Sequence, residues 1–184
     1  MHLQYPFIFP ALETPRLWLR QLLITDAGRV AALRSDEQVN KYLGRPAHTS
    51  IEEARGFIEM INKGLEEKGW FYWAIAVKPA AALVGTICLW NLEPEKMEVE
   101  IGFELVPAYQ GKGIMQETIE CILRYGFETL KLEKINSFTE KENIASVKVL
   151  ERNHFKEDET LKAAESESLI GYSLHSTTYY AARG

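Results

Sequence analysis

The stretch from Met97 to Leu130 constrains this chain more than any other. Val99, Ile101, Phe103 and Leu105 fall on one side of an alternating run, and Glu98, Glu100, Gly102 and Glu104 on the other. A period of two predicts a strand with one face buried. Pro107 ends it, Gln110-Gly111-Lys112-Gly113 follows, and Met115, Ile119, Ile122, Leu123, Phe127 and Leu130 then recur at helical spacing. A strand passing through glycines straight into a helix can bind phosphate. The first helical N–H groups have no partner within the helix and point outward, and the helix dipole adds about half a positive charge there. Glycine lets backbone approach an anion closely, and Lys112 adds a mobile cation. A plain tight turn would use the same glycines, so the loop alone leaves two readings open.

The rest of the chain supplies the elements around this unit. Arg16 to Arg20 alternates like a strand, and Thr25-Asp26 starts a helical region running toward Leu43. Ser50-Ile51-Glu52-Glu53 fits a capping box ahead of Ala54, Phe57, Ile58, Ile61 and Leu65, with Gly69 as the stop. Trp70–Val77 and Leu83–Trp90 read as a buried hairpin. Lys134–Thr139 reads as a strand, Asn143–Arg152 as a short helix, and two more strand candidates lie between Phe155 and Tyr179. This order predicts one mixed α/β domain over residues 1–184, with 1–12 as an N-terminal extension and helices flanking a central sheet.

Several function classes are disfavoured. Lys and Arg number 21 against 26 Asp and Glu, a net charge of −5, so no basic face for nucleic acid is expected. His2, His48, His154 and His175 form no zinc-ligand spacing with each other or with the two cysteines, so no metal is expected. Cys88 and Cys121 sit in apolar runs and read as buried free thiols. The apolar stretch before Pro10 has no preceding Lys or Arg, and Ala74–Trp90 contains Lys78, Pro79 and Gly85. Neither a signal peptide nor a membrane span is expected, and a cytoplasmic location is the simplest reading. No Walker-type phosphate loop occurs, and Gln116 stands where a dinucleotide fingerprint needs its third glycine.

Gln110-Gly111-Lys112-Gly113-Ile114-Met115 resembles the acetyl-CoA pyrophosphate loop of the GNAT N-acetyltransferase superfamily, with Met115 in place of the usual final small residue. Glu100-Ile101-Gly102-Phe103 and Pro107-Ala108-Tyr109 resemble its lead-in, and Leu12-Glu13-Thr14-Pro15-Arg16-Leu17 its opening. Asn143-Ile144-Ala145-Ser146, Asn153-His154-Phe155 and Lys162-Ala163-Ala164-Glu165 resemble the branch that acetylates ribosomal-protein N-termini. The resemblance implies a mostly antiparallel sheet of about six to seven strands, splayed where acetyl-CoA binds. It implies cofactor contacts from Phe103, Glu104 and Leu105, from Gln110, Gly111, Lys112, Gly113, Ile114, Met115 and Gln116, and from Asn143, whose first expected role is to cap its helix. Many relatives keep a tyrosine acid where Leu150 stands here, which leaves Ser146 as the hydroxyl toward the leaving thiolate. Glu165 corresponds to a carboxylate able to take the amine proton, directly or through water, while Glu100 and Glu104 are fallback carboxylates that read first as ordinary polar-face residues. His154, at a family glycine position, reads as a turn residue. Acceptor contacts are implied between Asp36 and Glu67, where no motif stands out. The implied partner is an amine, either a ribosomal-protein-like N-terminus or a small amine such as a polyamine, an aminoglycoside or an amino-acid-like molecule. A non-catalytic acyl-CoA-binding protein is the other reading, and either a monomer or a homodimer is compatible with the sequence.

Overall fold

The computed structural model describes residues 9–47, 50–162 and 168–183. Among these, eight strands form one sheet: β1 (Leu12–Glu13), β2 (Leu17–Gln21), β3 (Phe71–Val77), β4 (Ala82–Glu93), β5 (Glu98–Leu105), β6 (Lys134–Glu140), β7 (Lys156–Glu157) and β8 (Leu169–His175). Their spatial order is β1-β2-β3-β4-β5-β6-β8-β7. The two-residue strands β1 and β7 raise the expected six or seven to eight. Part of the expected N-terminal extension belongs to this sheet. Leu12 pairs with Leu19, and the Trp73 indole donates to the Pro10 carbonyl at 2.7 Å.

Alternation sorts the two faces. Phe71, Trp73 and Ile75 join Ile87, Leu89 and Ile101 in the main core beneath α4 (Ile114–Arg124) and α5 (Ile144–Arg152). Phe71 and Trp73 stack at 5.8 Å, and both meet Tyr125 edge-on. Tyr125–Thr129 extends α4 as a wider π turn and seats Phe127 in the same core. On the other face, Ala74 and Leu83 pack with Val30, Leu33, Ala54 and Ile58 from α1 (Ala27–Ser35) and α3 (Ile51–Lys68). A short α2 (Glu37–Asn40) lies between these two helices in sequence. The Ser50 hydroxyl accepts from Glu53 N–H at 3.1 Å, and Gly69 closes α3 at φ +67°. Cys88 and Cys121 are buried and unbridged, as their apolar settings predict.

One junction sets up the site. β5 and β6 are parallel, whereas the other neighbouring strands are antiparallel. Their pairing stops after Glu98–Lys134, Val99–Ile135 and Glu100–Asn136. Beyond that rung Ile101–Leu105 and Ser137–Glu140 continue without pairing to each other. Parallel strands end at the same edge of a sheet, so α4 and α5, which follow β5 and β6, both begin beside this opening.

Candidate active site

The loop after β5 takes the shape its glycines permit. Gly111 and Gly113 have φ of +70° and +73°, a conformation that disfavours any residue with a Cβ. A Cβ on Gly111 would meet nothing within 4 Å, so this backbone faces open space. Gly113 is the N-cap of α4, and its carbonyl accepts the first helical bond from Glu117 N–H at 3.1 Å. The N–H groups of Ile114, Met115 and Gln116 therefore lack helical partners, while the Ile114 and Met115 side chains anchor the turn in the core. Lys112 is exposed, with its ammonium over the Tyr109 ring at 5.6 Å. Such a loop could cradle an anion such as a pyrophosphate.

Two expected contacts have other occupations in their side chains. The Gln110 amide donates to the Leu105 carbonyl at 2.9 Å, tying the loop to the strand end. The Gln116 amide exchanges two bonds with Asn153, at 3.0 and 3.1 Å, linking α4 to the end of α5. Each keeps its backbone for the loop.

The alternation of β5 decides what it offers the opening. Val106 N–H bonds to Val84 on β4 at 2.9 Å, which directs the backbone groups of the even-numbered residues from Glu100 to Glu104 toward β4. The odd-numbered residues face the other way, and the Ile101 carbonyl accepts from the Ser137 hydroxyl at 3.2 Å. Phe103 and Leu105 thus present backbone to the opening. Glu104 does not: its backbone faces β4, and its side chain turns to the α1 side.

Across the opening, the Asn143 carboxamide caps α5 by accepting from Ser146 N–H at 3.2 Å. Ser146 is half-buried one turn before Leu150, which is fully buried in the core. His154 has φ +65°, the turn conformation expected of it. Glu165 lies outside the described residues. No group of metal-ligating side chains occurs among the described residues, and no helix there is long and apolar enough to cross a membrane.

Residues 16–156 match the family model for the acetyltransferase (GNAT) domain. The chain belongs to the GNAT acetyltransferase family. It is 33% identical over 155 residues to the uncharacterized N-acetyltransferase YoaA of Bacillus subtilis, covering 84% of this chain and 88% of the relative. Among solved structures it resembles the ribosomal-protein-S5-alanine acetyltransferase of Vibrio fischeri, with TM-score 0.77, 19% identity, and 92% and 98% of the two chains covered. It resembles equally the spermidine N-acetyltransferase of Vibrio cholerae in complex with CoA and spermine, with TM-score 0.76, 22% identity, and 91% and 99% covered. At such identities the likeness concerns the fold. The family assignment makes this chain an acetyl-CoA-dependent N-acetyltransferase.

Two parts of this GNAT site escape the sequence reading. The first is a clamp behind the glycine loop. Arg16 donates to the Lys112 and Gly113 carbonyls at 3.0 and 3.1 Å, and its Nε pairs with Glu117 at 2.5 Å. Glu117 also accepts from the Thr14 hydroxyl at 2.5 Å and from Arg16 N–H at 3.1 Å. Burial alone would raise the Glu117 carboxyl, but the Thr14 hydroxyl and both Arg16 donors outweigh it and hold it below its ordinary range. By taking two loop carbonyls from behind, Arg16 holds the peptide groups so that their N–H sides are free. The second is the Glu104 carboxylate, which is no ordinary polar-face group. It is buried, pairs with Arg45, lies 3.8 Å from Arg34, and accepts from the Thr86 hydroxyl at 3.0 Å. The Arg34 guanidinium stacks on Phe57 at 4.0 Å. On the same face, burial pushes the Cys88 thiol up to about 12, with Glu100 and Glu104 adding to the rise. A buried thiol raised in this way is poorly suited to act as a nucleophile.

Proposed function

We propose that this enzyme transfers the acetyl group of acetyl-CoA to the α-amine at a protein N-terminus, of the kind ribosomal proteins present. The observation that carries the reading is the interrupted β5–β6 ladder, with the N-termini of α4 and α5 at one edge of it. The loop Gly111–Gln116 receives the pyrophosphate, and the Phe103 and Leu105 backbone groups receive the pantetheine. A backbone N–H of that stretch stabilises the charge that develops on the acetyl oxygen, a contribution worth about 3–4 kcal/mol of barrier. The amine lone pair meets the thioester carbon; the C–N bond forms as the C–S bond breaks. A free α-amine has a pKa of about 7.7–8.0, so roughly a tenth or more is neutral at pH 7, and Glu165 needs only to accept its proton. Ser146, on the opposite wall, directs its hydroxyl toward the leaving sulfur. Asn143 keeps its amide N–H groups for the cofactor while its oxygen caps the helix.

A second reading, acetylation of a polyamine, is supported by the likeness to the spermidine enzyme. Incubation with acetyl-CoA and a panel of N-terminal peptides, polyamines and aminoglycosides, read by mass spectrometry, separates the two. Acetylated peptide N-termini are the expected product, and acetyl-polyamine alone would replace the first reading by the second. Glu165→Gln should lower the rate and alter its pH profile; an unchanged profile would remove Glu165 from the mechanism.

A further inference from the structure

Among the described residues, two buried side-chain polar atoms have no hydrogen-bond partner: the Trp90 indole Nε1 and the Asn136 carboxamide Oδ1. They are not scattered. Trp90 pairs with Glu100 across β4 and β5, and Glu100 pairs with Asn136 across β5 and β6. The three side chains form one row on the sheet face that also carries Tyr72, Thr86 and Cys88. That row is the last rung before β5 and β6 part. Buried polar groups are nearly always satisfied within a protein, because an unmade bond is costly. Two orphans on one rung, at the mouth of the opening, point to a ligand that completes them.

Their chemistry specifies the ligand. The indole can only donate. The Asn136 amide nitrogen already donates to Glu98 at 3.3 Å, so its oxygen is the group left over, and it can only accept. Glu100, between them, brings a carboxylate whose Oε2 accepts from Asn91 at 3.2 Å. An occupant must therefore offer N–H to Asn136 and an acceptor oxygen to Trp90, and it meets the Glu100 carboxylate between them.

We infer that this row is the acceptor subsite and that it reads an α-amino amide, the first residue of a peptide. The amine donates to Asn136 Oδ1 and the carbonyl of the same residue accepts from Trp90 Nε1. This rests on the acetyltransferase reading and names the group that selects its substrate. A polyamine's remaining amines are protonated near neutral pH and can only donate, so it leaves the indole unsatisfied. A site built to hydrogen-bond a substrate group discriminates strongly against analogues that lack it.

The test compares alaninamide with sec-butylamine, which keeps the branched amine and lacks the carbonyl, and with spermidine. In ¹⁵N-labelled protein saturated with CoA, Trp90→Phe identifies the Trp90 indole signal among the four tryptophans. Alaninamide should shift that signal downfield and sec-butylamine and spermidine should not. In turnover, Trp90→Phe should lower the ratio of kcat/KM for alaninamide over sec-butylamine about tenfold, the worth of one buried bond. Asn136→Leu should instead raise KM for both amines, leaving KM for acetyl-CoA unchanged. An indole signal indifferent to alaninamide, or a ratio unchanged by Trp90→Phe, would overturn the subsite. If no amine is acetylated, the acetyl-transfer reading fails by itself, and the indole titration still decides whether the row binds an α-amino amide.

Discussion

Arg16 shows how a residue can matter to a site without facing it. Its five guanidinium donors suit a fork that lysine cannot copy, since two carbonyls and a carboxylate are held at once. Arg16→Ala should raise KM for acetyl-CoA about tenfold with little change in kcat, and Arg16→Lys should recover only part of the loss. Steady-state kinetics at saturating acceptor would check this; a fall in kcat alone would show that the clamp does not act through cofactor binding. The pH dependence follows from Glu117. Its folded pKa is depressed, so its contribution to stability is whole above the ordinary carboxylate range and is lost as pH falls through the folded value. The melting-temperature gap between wild type and Glu117→Gln should be level from pH 7 to about 5 and should close below about 4. The sequence displayed Thr14 and Arg16 as a family opening, but not their task, because Glu117 lies 101 residues from Arg16. Gly111 and Gly113 were legible since their conformation is local. Gly113→Asp should abolish tight CoA binding in calorimetry, for it puts a Cβ at φ +73° and a carboxylate against Arg16, 3.4 Å from that Cβ, where it competes with the loop carbonyls for the guanidinium that holds the loop in shape.

Elements were legible wherever period and caps agreed. The alternation of β5, the Ser50 cap and Gly69 stop of α3, and the Asn143 cap of α5 all act within a few residues, so local sequence contains them. The helix α6 (Ser176–Ala181) escaped notice for the opposite reason. Its β-branched Thr177 and Thr178 and its two tyrosines favour a strand, and distant partners override them. Tyr179 donates to Glu128 at 2.8 Å and Tyr180 to the Phe127 carbonyl at 3.0 Å. On α5 the cap and the proposed thiolate contact can be separated. Asn143→Ala should cost about 1 kcal/mol in chemical denaturation. Ser146→Ala should leave stability and acetyl-CoA affinity nearly intact and lower kcat by about a hundredfold, the low end of positioned acid catalysis. Wild-type kcat in Ser146→Ala, with chemistry rate-limiting, would give that role to water.

At the scale of the whole molecule, the Glu104 cluster joins regions that sequence analysis treats separately. Arg34 comes from α1, Arg45 from the segment before α3, and Thr86 from β4, so one buried carboxylate fixes the helical face to β5, the strand beside the opening. Glu104→Gln should destabilise the protein by about 3 kcal/mol, because it leaves two partly buried guanidiniums short of a counter-charge. A loss below 1 kcal/mol in denaturant titrations would mean that the cluster is solvated in solution. The cluster was illegible because a period of two assigns glutamates to a face without saying what covers that face. The β5–β6 opening has a consequence of its own. Phe103 and Leu105 lie inside a regular strand, yet their amides toward β6 have no ladder to protect them. In deuterium they should therefore exchange like loop amides while their even-numbered neighbours stay protected, and CoA should slow them by supplying the rungs the protein omits. The enzyme's sheet is two antiparallel half-sheets joined by a three-rung parallel ladder, and in the proposed mode of binding CoA is the missing edge that would make them continuous.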